Sequence, residues 1–276
     1  KAVALMLITP VLWSTAGVVT RHVERAAPFE QVFWRSLVAG VFVAAYLLFT
    51  RQKPSIGRPM LFSGVMWAVM FTAFVVALSL TTVANTLVVM RVAPLPTAFL
   101  SFVILKEAVS TRTWLAAGAA AVGIAWMFHD DFVGGQLAGM LIAALIPLAS
   151  AANLVALRAA AARVDLVPAI MLGGFLSALL ALPLALPFQA SAKDLALLAF
   201  LGVFQLGVPC ILMYVVSRVL PPPEIALLAL LEVLLGVLWA WLFVGEQPGS
   251  AALYGGGIVL AALVLNEIST MREKPV

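Results

Sequence analysis

The sequence predicts an all-α membrane protein: ten transmembrane helices arranged as two inverted five-helix repeats, with both termini cytoplasmic. Three observations carry that reading. Only 10% of the residues are charged while 64% are hydrophobic, whereas a soluble domain is about a quarter charged. So little polar surface cannot coat a globule, and the bilayer must be the solvent. The apolar residues fall into ten stretches of spanning length, and the two halves of the chain repeat one another.

A spanning helix needs roughly 20 mostly apolar residues. The first half supplies Ala2–Thr20, Phe29–Thr50, Met60–Leu80, Ala84–Leu105 and Thr113–Phe128. The second half supplies Leu137–Leu157, Val167–Leu186, Leu195–Ser217, Glu224–Val244 and Ala251–Leu265. Turn chemistry separates them: RQKPSIGRP after the second, HDDFVGGQ after the fifth, LPPPE after the eighth and GEQPGS after the ninth. None of these connections is long enough for a soluble domain, so function must lie inside the helix bundle. The first stretch outruns a signal peptide and no A-x-A-like cleavage site follows it, so a retained helix is expected.

Orientation follows from the basic residues, which mark cytoplasmic loops. With the N-terminus inside, the inner loops and tails hold eleven: Lys1, Arg51, Lys53, Arg58, Lys106, Arg112, Arg158, Arg163, Arg218, Arg272 and Lys274. The outer loops hold three, Arg21, Arg25 and Lys193. The net charge of +4 therefore reads as an orientation signal. It forms no face or arm suited to nucleic acid.

The repeat emerges on sliding the chain against itself. At an offset of 137, Pro10 falls on Pro147 and Arg21 on Arg158. At an offset of 139, FVILKEAVSTRTWLAAG lies over WLFVGEQPGSAALYGGG, pairing Glu107 with Glu246 and Gly118 with Gly257. The repeats are assigned to residues 1–129 and 134–276. An odd number of helices per repeat turns the second upside down. Lys106 and Arg112 agree, because their counterparts in the second half are uncharged and belong outside. Inverted repeats that bind at the bilayer midplane are the architecture of many secondary transporters.

These residues carry a family resemblance: VLWSTAGVVTR in the first helix, FEQVFWRSLVAG in the second, and the junctions at Glu107 and Glu246. Across its whole length the chain resembles the drug/metabolite transporter superfamily in its ten-helix EamA-type branch. The bacterial aromatic amino acid exporters look most similar. The resemblance implies export of amino acids or related metabolites through the inner membrane, with aromatic and neutral ones favoured. The family's Glu-Pro pair in the ninth helix stands here as Glu232-Val233, and its counterpart in the fourth as Ala93-Pro94.

Ionisable residues inside a membrane cost several kcal/mol and mark partners or cavities. Three fall within the predicted spans away from their ends: Arg35, Arg91 and Glu232. Arg35 lies about two turns from a helix end, where it can snorkel, and a structural role is expected of it. Arg91 and Glu232 lie mid-span in the matching helices four and nine. They read either as a buried structural pair or as recognition of a zwitterion's carboxylate and ammonium.

Trp67, Phe71 and Phe74 recur at helical spacing beside Met70. Such a stripe suits a flat apolar ligand, a lipid-facing surface or helix packing. Trp13 and Ser14 lie one turn after Pro10, with Ser150 and Asn153 in the matching part of helix six. Gln205 and Tyr214 add polar groups to helix eight, where buried polar ends need partners. The candidate substrate-binding set is therefore Trp13, Ser14, Trp67, Phe71, Arg91, Ser150, Asn153, Gln205, Tyr214 and Glu232. Prolines at 10, 94, 96, 147 and 209 are expected to kink or loosen their helices. Small residues in LAAGAAAVG and YGGG suit close helix contact in helices five and ten.

No phosphate-binding loop, HExxH or Cys/His metal spacing occurs, so no cofactor, metal or enzyme activity is expected. Asp130-Asp131 reads as a solvated turn. A channel would show a ring of polar residues, and none emerges. With Glu232 the sole intramembrane carboxylate, a proton relay lacks material. Facilitated efflux by alternating access is the leading reading and proton-coupled drug or metabolite efflux the alternative. The expected partners are a small-molecule substrate and the bilayer, around a monomer.

Overall fold

A computed structural model describes residues 2–51, 57–106, 110–134, 136–159, 166–217 and 228–273, and within them all regular structure is helical. In chain order the α-helices are α1 (Ala2–Arg21), α2 (Pro28–Phe49), α3 (Arg58–Leu80), α4 (Val83–Met90), α5 (Pro94–Leu100) and α6 (Thr111–Gly134). The second half holds α7 (Leu137–Ala159), α8 (Leu166–Ala185), α9 (Ala192–Phe200), α10 (Val208–Ser217), α11 (Leu231–Trp239) and α12 (Ser250–Glu273). Three π-helical segments extend or join them: Ser101–Leu105 after α5, Leu201–Gly207 between α9 and α10, and Ala240–Val244 after α11.

Seven of these stretches are long and apolar enough to cross a membrane, including Val83–Leu105 through α4 and α5 and Ala192–Val216 through α9 and α10. Leu231–Val244 and Ser250–Asn266 are shorter apolar helices. Leu48, Phe49, Leu115, Leu180, Phe243 and Tyr254 all stand exposed on the bundle. In water such a coat would aggregate, and lipid is its natural solvent. The chain is a multi-pass membrane protein.

Several boundaries differ from the sequence reading. α6 continues through His129, Asp130 and Asp131 to Gly134, so the acidic pair belongs to a helix end and not to a loop. Nothing before Gly134 breaks the ladder. α1 and α7 stay helical through Pro10 and Pro147, as does α10 through Pro209. The Pro94/Pro96 pair coincides with a break, and Pro209 stands just after the π segment Leu201–Gly207. Glu107 and residues 224–227 at the start of the predicted ninth stretch lie outside the described residues.

The tightest packing joins α2 and α3 to α8. Glycines make it possible: a Cβ on Gly174 would sit 2.8 Å from the Ser36 carbonyl oxygen, and one on Gly173 only 2.4 Å from the Trp67 Cβ. A hydroxyl chain crosses the same seam, with Ser177 Oγ 3.0 Å from both Ser36 Oγ and Thr72 Oγ1. Each hydroxyl there satisfies another without a charge, as an apolar interior requires. α6 and α12 form a second closely packed pair, in which a Cβ on Gly123 would meet the Gly255 carbonyl at 2.6 Å. Small residues on both helices allow that approach.

The repeat is visible in backbone detail. The π segments Ser101–Leu105 and Ala240–Val244 occupy matching places in the two halves, and each ends on a left-handed residue, Lys106 at φ 57° and Gly245 at φ 73°. A Cβ makes that conformation costly by roughly 1–2 kcal/mol, so glycine is the natural terminator. Lys106 lacks that freedom. Lys106→Gly should therefore stabilise the protein by about 1 kcal/mol. A rise in thermal unfolding temperature of the detergent-purified protein is the expected readout, while Gly245→Lys should lower it.

Candidate functional site

α4 stops at Arg91 because Pro94 and Pro96 have no N–H with which to continue the ladder. The chain tightens there into short bonds, Arg91 N donating to Val88 O at 3.1 Å and Val92 N to Val89 O at 3.2 Å. In the other repeat Val233 N donates to Leu230 O at 3.1 Å, next to Glu232. Two irregular turns at matching positions thus present the two charges, and the Arg91 guanidinium pairs with the Glu232 carboxylate through Nη2 and Oε2. Glu232 is 2% exposed. Val89, Leu230 and Val233 around the pair belong to the larger apolar core. Each charge is the other's counter-ion, while Arg91 Nε is buried without a hydrogen-bond partner.

A different group of predicted residues converges elsewhere. Phe71 is a core member of a second apolar cluster with Ala39, Val43, Leu206, Cys210 and Ile211, and Trp13, Trp67 and Tyr214 pack against it. The Trp67 and Phe71 rings lie 5.3 Å apart. Phe74, one turn on, is also buried. The aromatic stripe of α3 therefore faces the bundle interior and not lipid. Trp67 Nε1 is buried with no hydrogen-bond partner. Gln205, in the π segment between α9 and α10, is likewise buried with its Oε1 unpartnered.

The remaining predicted residues separate. Ser14 Oγ donates to Val11 O at 2.7 Å and accepts from Trp239 Nε1 at 3.1 Å, which ties α1 to α11. Its hydroxyl is spent on that joint. Asn153 on α7 is buried with Oδ1 unpartnered, and Ser150 is half-buried one turn before it. Arg35 does not snorkel: it is 3% exposed, and its guanidinium carbon lies 5.2 Å from the centre of the Phe74 ring.

One end of the bundle is laced by polar contacts that the sequence reading did not foresee. Arg21 Nε donates to Glu246 Oε2 at 3.1 Å and Nη2 to Thr81 O at 2.8 Å. Glu246 also accepts from Val83 N, and Thr81 Oγ1 donates to Gln136 Oε1 at 2.9 Å. Arg21, Thr81, Gln136 and Glu246 line a cleft of about 360 Å³ with Ser79, Leu80 and Thr82. Beside it, two buried carboxylates clamp the neighbouring connections. Glu30 accepts from Gln189 N and Ala190 N, and Asp194 accepts from Glu24 N, Arg25 N and Ser191 N. Apart from the Ser191–Asp194 capping box, nothing in the local pattern signals these pairings, most of which join residues more than a hundred positions apart.

A buried charge pair at irregular helix turns, and a separate aromatic cluster in the same apolar bundle, are features that suit a membrane transporter of small molecules. The family model for the EamA-like transporter family matches twice, over residues 1–129 and 137–267, and the chain belongs to that family. A comparison with curated proteins gives no match. Among solved structures, one described as "Crystal structure of protein" superposes with a TM-score of 0.69 over 98% of each chain at 18% identity, a likeness of fold alone.

Proposed function

We propose that this transporter exports neutral amino acids, aromatic ones favoured, across the inner membrane by facilitated alternating access. The observation that carries the reading is the aromatic set, Trp13, Trp67, Phe71 and Tyr214, gathered around one apolar cluster from three separate helices. Flat rings bury a large area against such surfaces. Two inverted repeats of five spans, with both termini cytoplasmic, would supply the two states between which the cluster is exposed in turn. The Arg21 end then faces outward, and the protein acts as a monomer.

Counterflow in proteoliposomes tests the substrate. Vesicles preloaded with L-phenylalanine should accumulate labelled phenylalanine transiently and saturably, and excess unlabelled tryptophan should suppress it. Flux indifferent to every aromatic competitor would sink the aromatic assignment. A proton gradient should not change the plateau if transport is facilitative. For topology, cysteines at Ser110 and Gln247 in a Cys210→Ala background should label from opposite sides.

A further inference from the structure

We propose that Arg35 is the binding position for the substrate's carboxylate, so that this transporter recognises organic anions and carboxylate-bearing zwitterions and rejects amines that lack an acid group. The inference rests on the transport reading above and assigns to its aromatic cluster the polar contact it otherwise lacks.

The physical problem is an uncompensated cation. Arg35 is 3% exposed, and its Nε and Nη1 have no hydrogen-bond partner. A guanidinium stripped of water needs a counter-charge or acceptors, and leaving its donors empty is among the most unfavourable arrangements in an apolar interior. Among the described residues the buried carboxylates are already committed. Glu30 and Asp194 hold backbone N–H groups, and Glu232 holds Arg91. The Phe74 ring offers a face at 5.2 Å but no charge.

The neighbourhood fits an anion with an apolar body. Arg35 lies one turn from Ala39, which belongs to the Phe71 cluster, and beside Phe74 of the larger core. Its backbone packs on the π segment, where a Cβ at Gly202 would come within 2.8 Å of the Arg35 carbonyl oxygen. Gln205 in that same segment and Trp67 on α3 leave a buried acceptor and a buried donor unused. A carboxylate accepts two parallel bonds from a guanidinium fork, which a single-point cation cannot match. Arg91, by contrast, already has Glu232.

The test uses the full chain in detergent and in proteoliposomes, with four probes: L-phenylalanine, phenylacetate, phenethylamine and succinate, and sodium chloride at equal ionic strength as control. On wild type, phenylalanine and phenylacetate should raise the unfolding temperature and compete in counterflow, while phenethylamine should do neither. Arg35→Gln should keep or raise the unfolding temperature without ligand, because an unpaired buried charge is removed, and weaken both carboxylates by roughly 10- to 100-fold. Arg35→Lys should fall between them. Should Arg35→Gln fail to fold, the wild-type contrast of phenylacetate with phenethylamine still decides. Equal binding of those two, or stabilisation by chloride alone, overturns the proposal. If succinate binds in an Arg35-dependent way and no aromatic probe binds, the anion site stands and the aromatic amino acid reading falls.

Discussion

Arg91→Met alone should destabilise the folded protein by roughly 3–5 kcal/mol, enough to abolish expression in a marginally stable chain. The loss comes from what is left behind. Glu232, 2% exposed, would keep a carboxylate deep in the bundle with no counter-ion. Glu232→Gln alone should be similarly harmful, because the Arg91 Nε is already without a partner. The double variant Arg91→Met with Glu232→Gln removes both charges, and expression and thermal unfolding should return close to wild type. Replacing a buried pair by neutral groups of similar volume is often harmless. A double variant as unstable as either single one would show that the pair acts through something other than mutual neutralisation. Its phenylalanine-induced stabilisation should persist, since the aromatic cluster and Arg35 are untouched.

The second large effect concerns the α2–α3–α8 seam. Gly174→Ala places a methyl 2.8 Å from the Ser36 carbonyl oxygen and 3.0 Å from the Gly40 nitrogen. Both neighbours are backbone, so neither can rotate away. The helices must part, and the Ser36–Ser177–Thr72 hydroxyl chain lengthens with them. A loss of about 2–3 kcal/mol is expected, at the upper end for overpacking. Gly118→Ala is the control, because a Cβ there meets nothing within 4 Å. That substitution should be neutral or mildly stabilising through helix propensity. Parallel unfolding curves of the two variants separate a packing effect from a general intolerance of glycine loss.

Features written locally in the chain are legible in its sequence. Unbroken apolar runs place most helices within a few residues. Pro94 and Pro96 mark the break beside Arg91. The match of Arg91 to Glu232 follows from the repeat, since both lie mid-span in corresponding helices. Features that depend on a distant partner are not legible. Ser14 stands in the candidate substrate-binding set, and its bond from Trp239, 225 positions away, has no signal in the pattern. The α3 stripe has the same spacing whether it meets lipid or α8. Arg35 is the clearest case: two turns from a helix end, it reads as a snorkelling side chain. Only the packing around it shows that it is buried, with Nε and Nη1 left without a partner. The π segments leave no trace in the pattern either, because an extra residue per turn leaves hydropathy unchanged.

The two sets of contacts at the Arg21 end differ in their relation to water. Glu30 and Asp194 are 0% exposed, so breaking their bonds strands donors and acceptors in a dry place. Arg21 and Glu246 keep 29% and 17% of their side chains exposed beside an open cleft, so water can take over their bonds as they separate. Parting there wets polar and apolar surface in about equal measure, and their heat-capacity contributions, opposite in sign, partly offset. The end is thus asymmetric, closed to water around Glu30 and Asp194 and open to it around Arg21 and Glu246. Warming or cooling should shift the Arg21–Glu246 contacts less than it would a seam sealed by leucines alone.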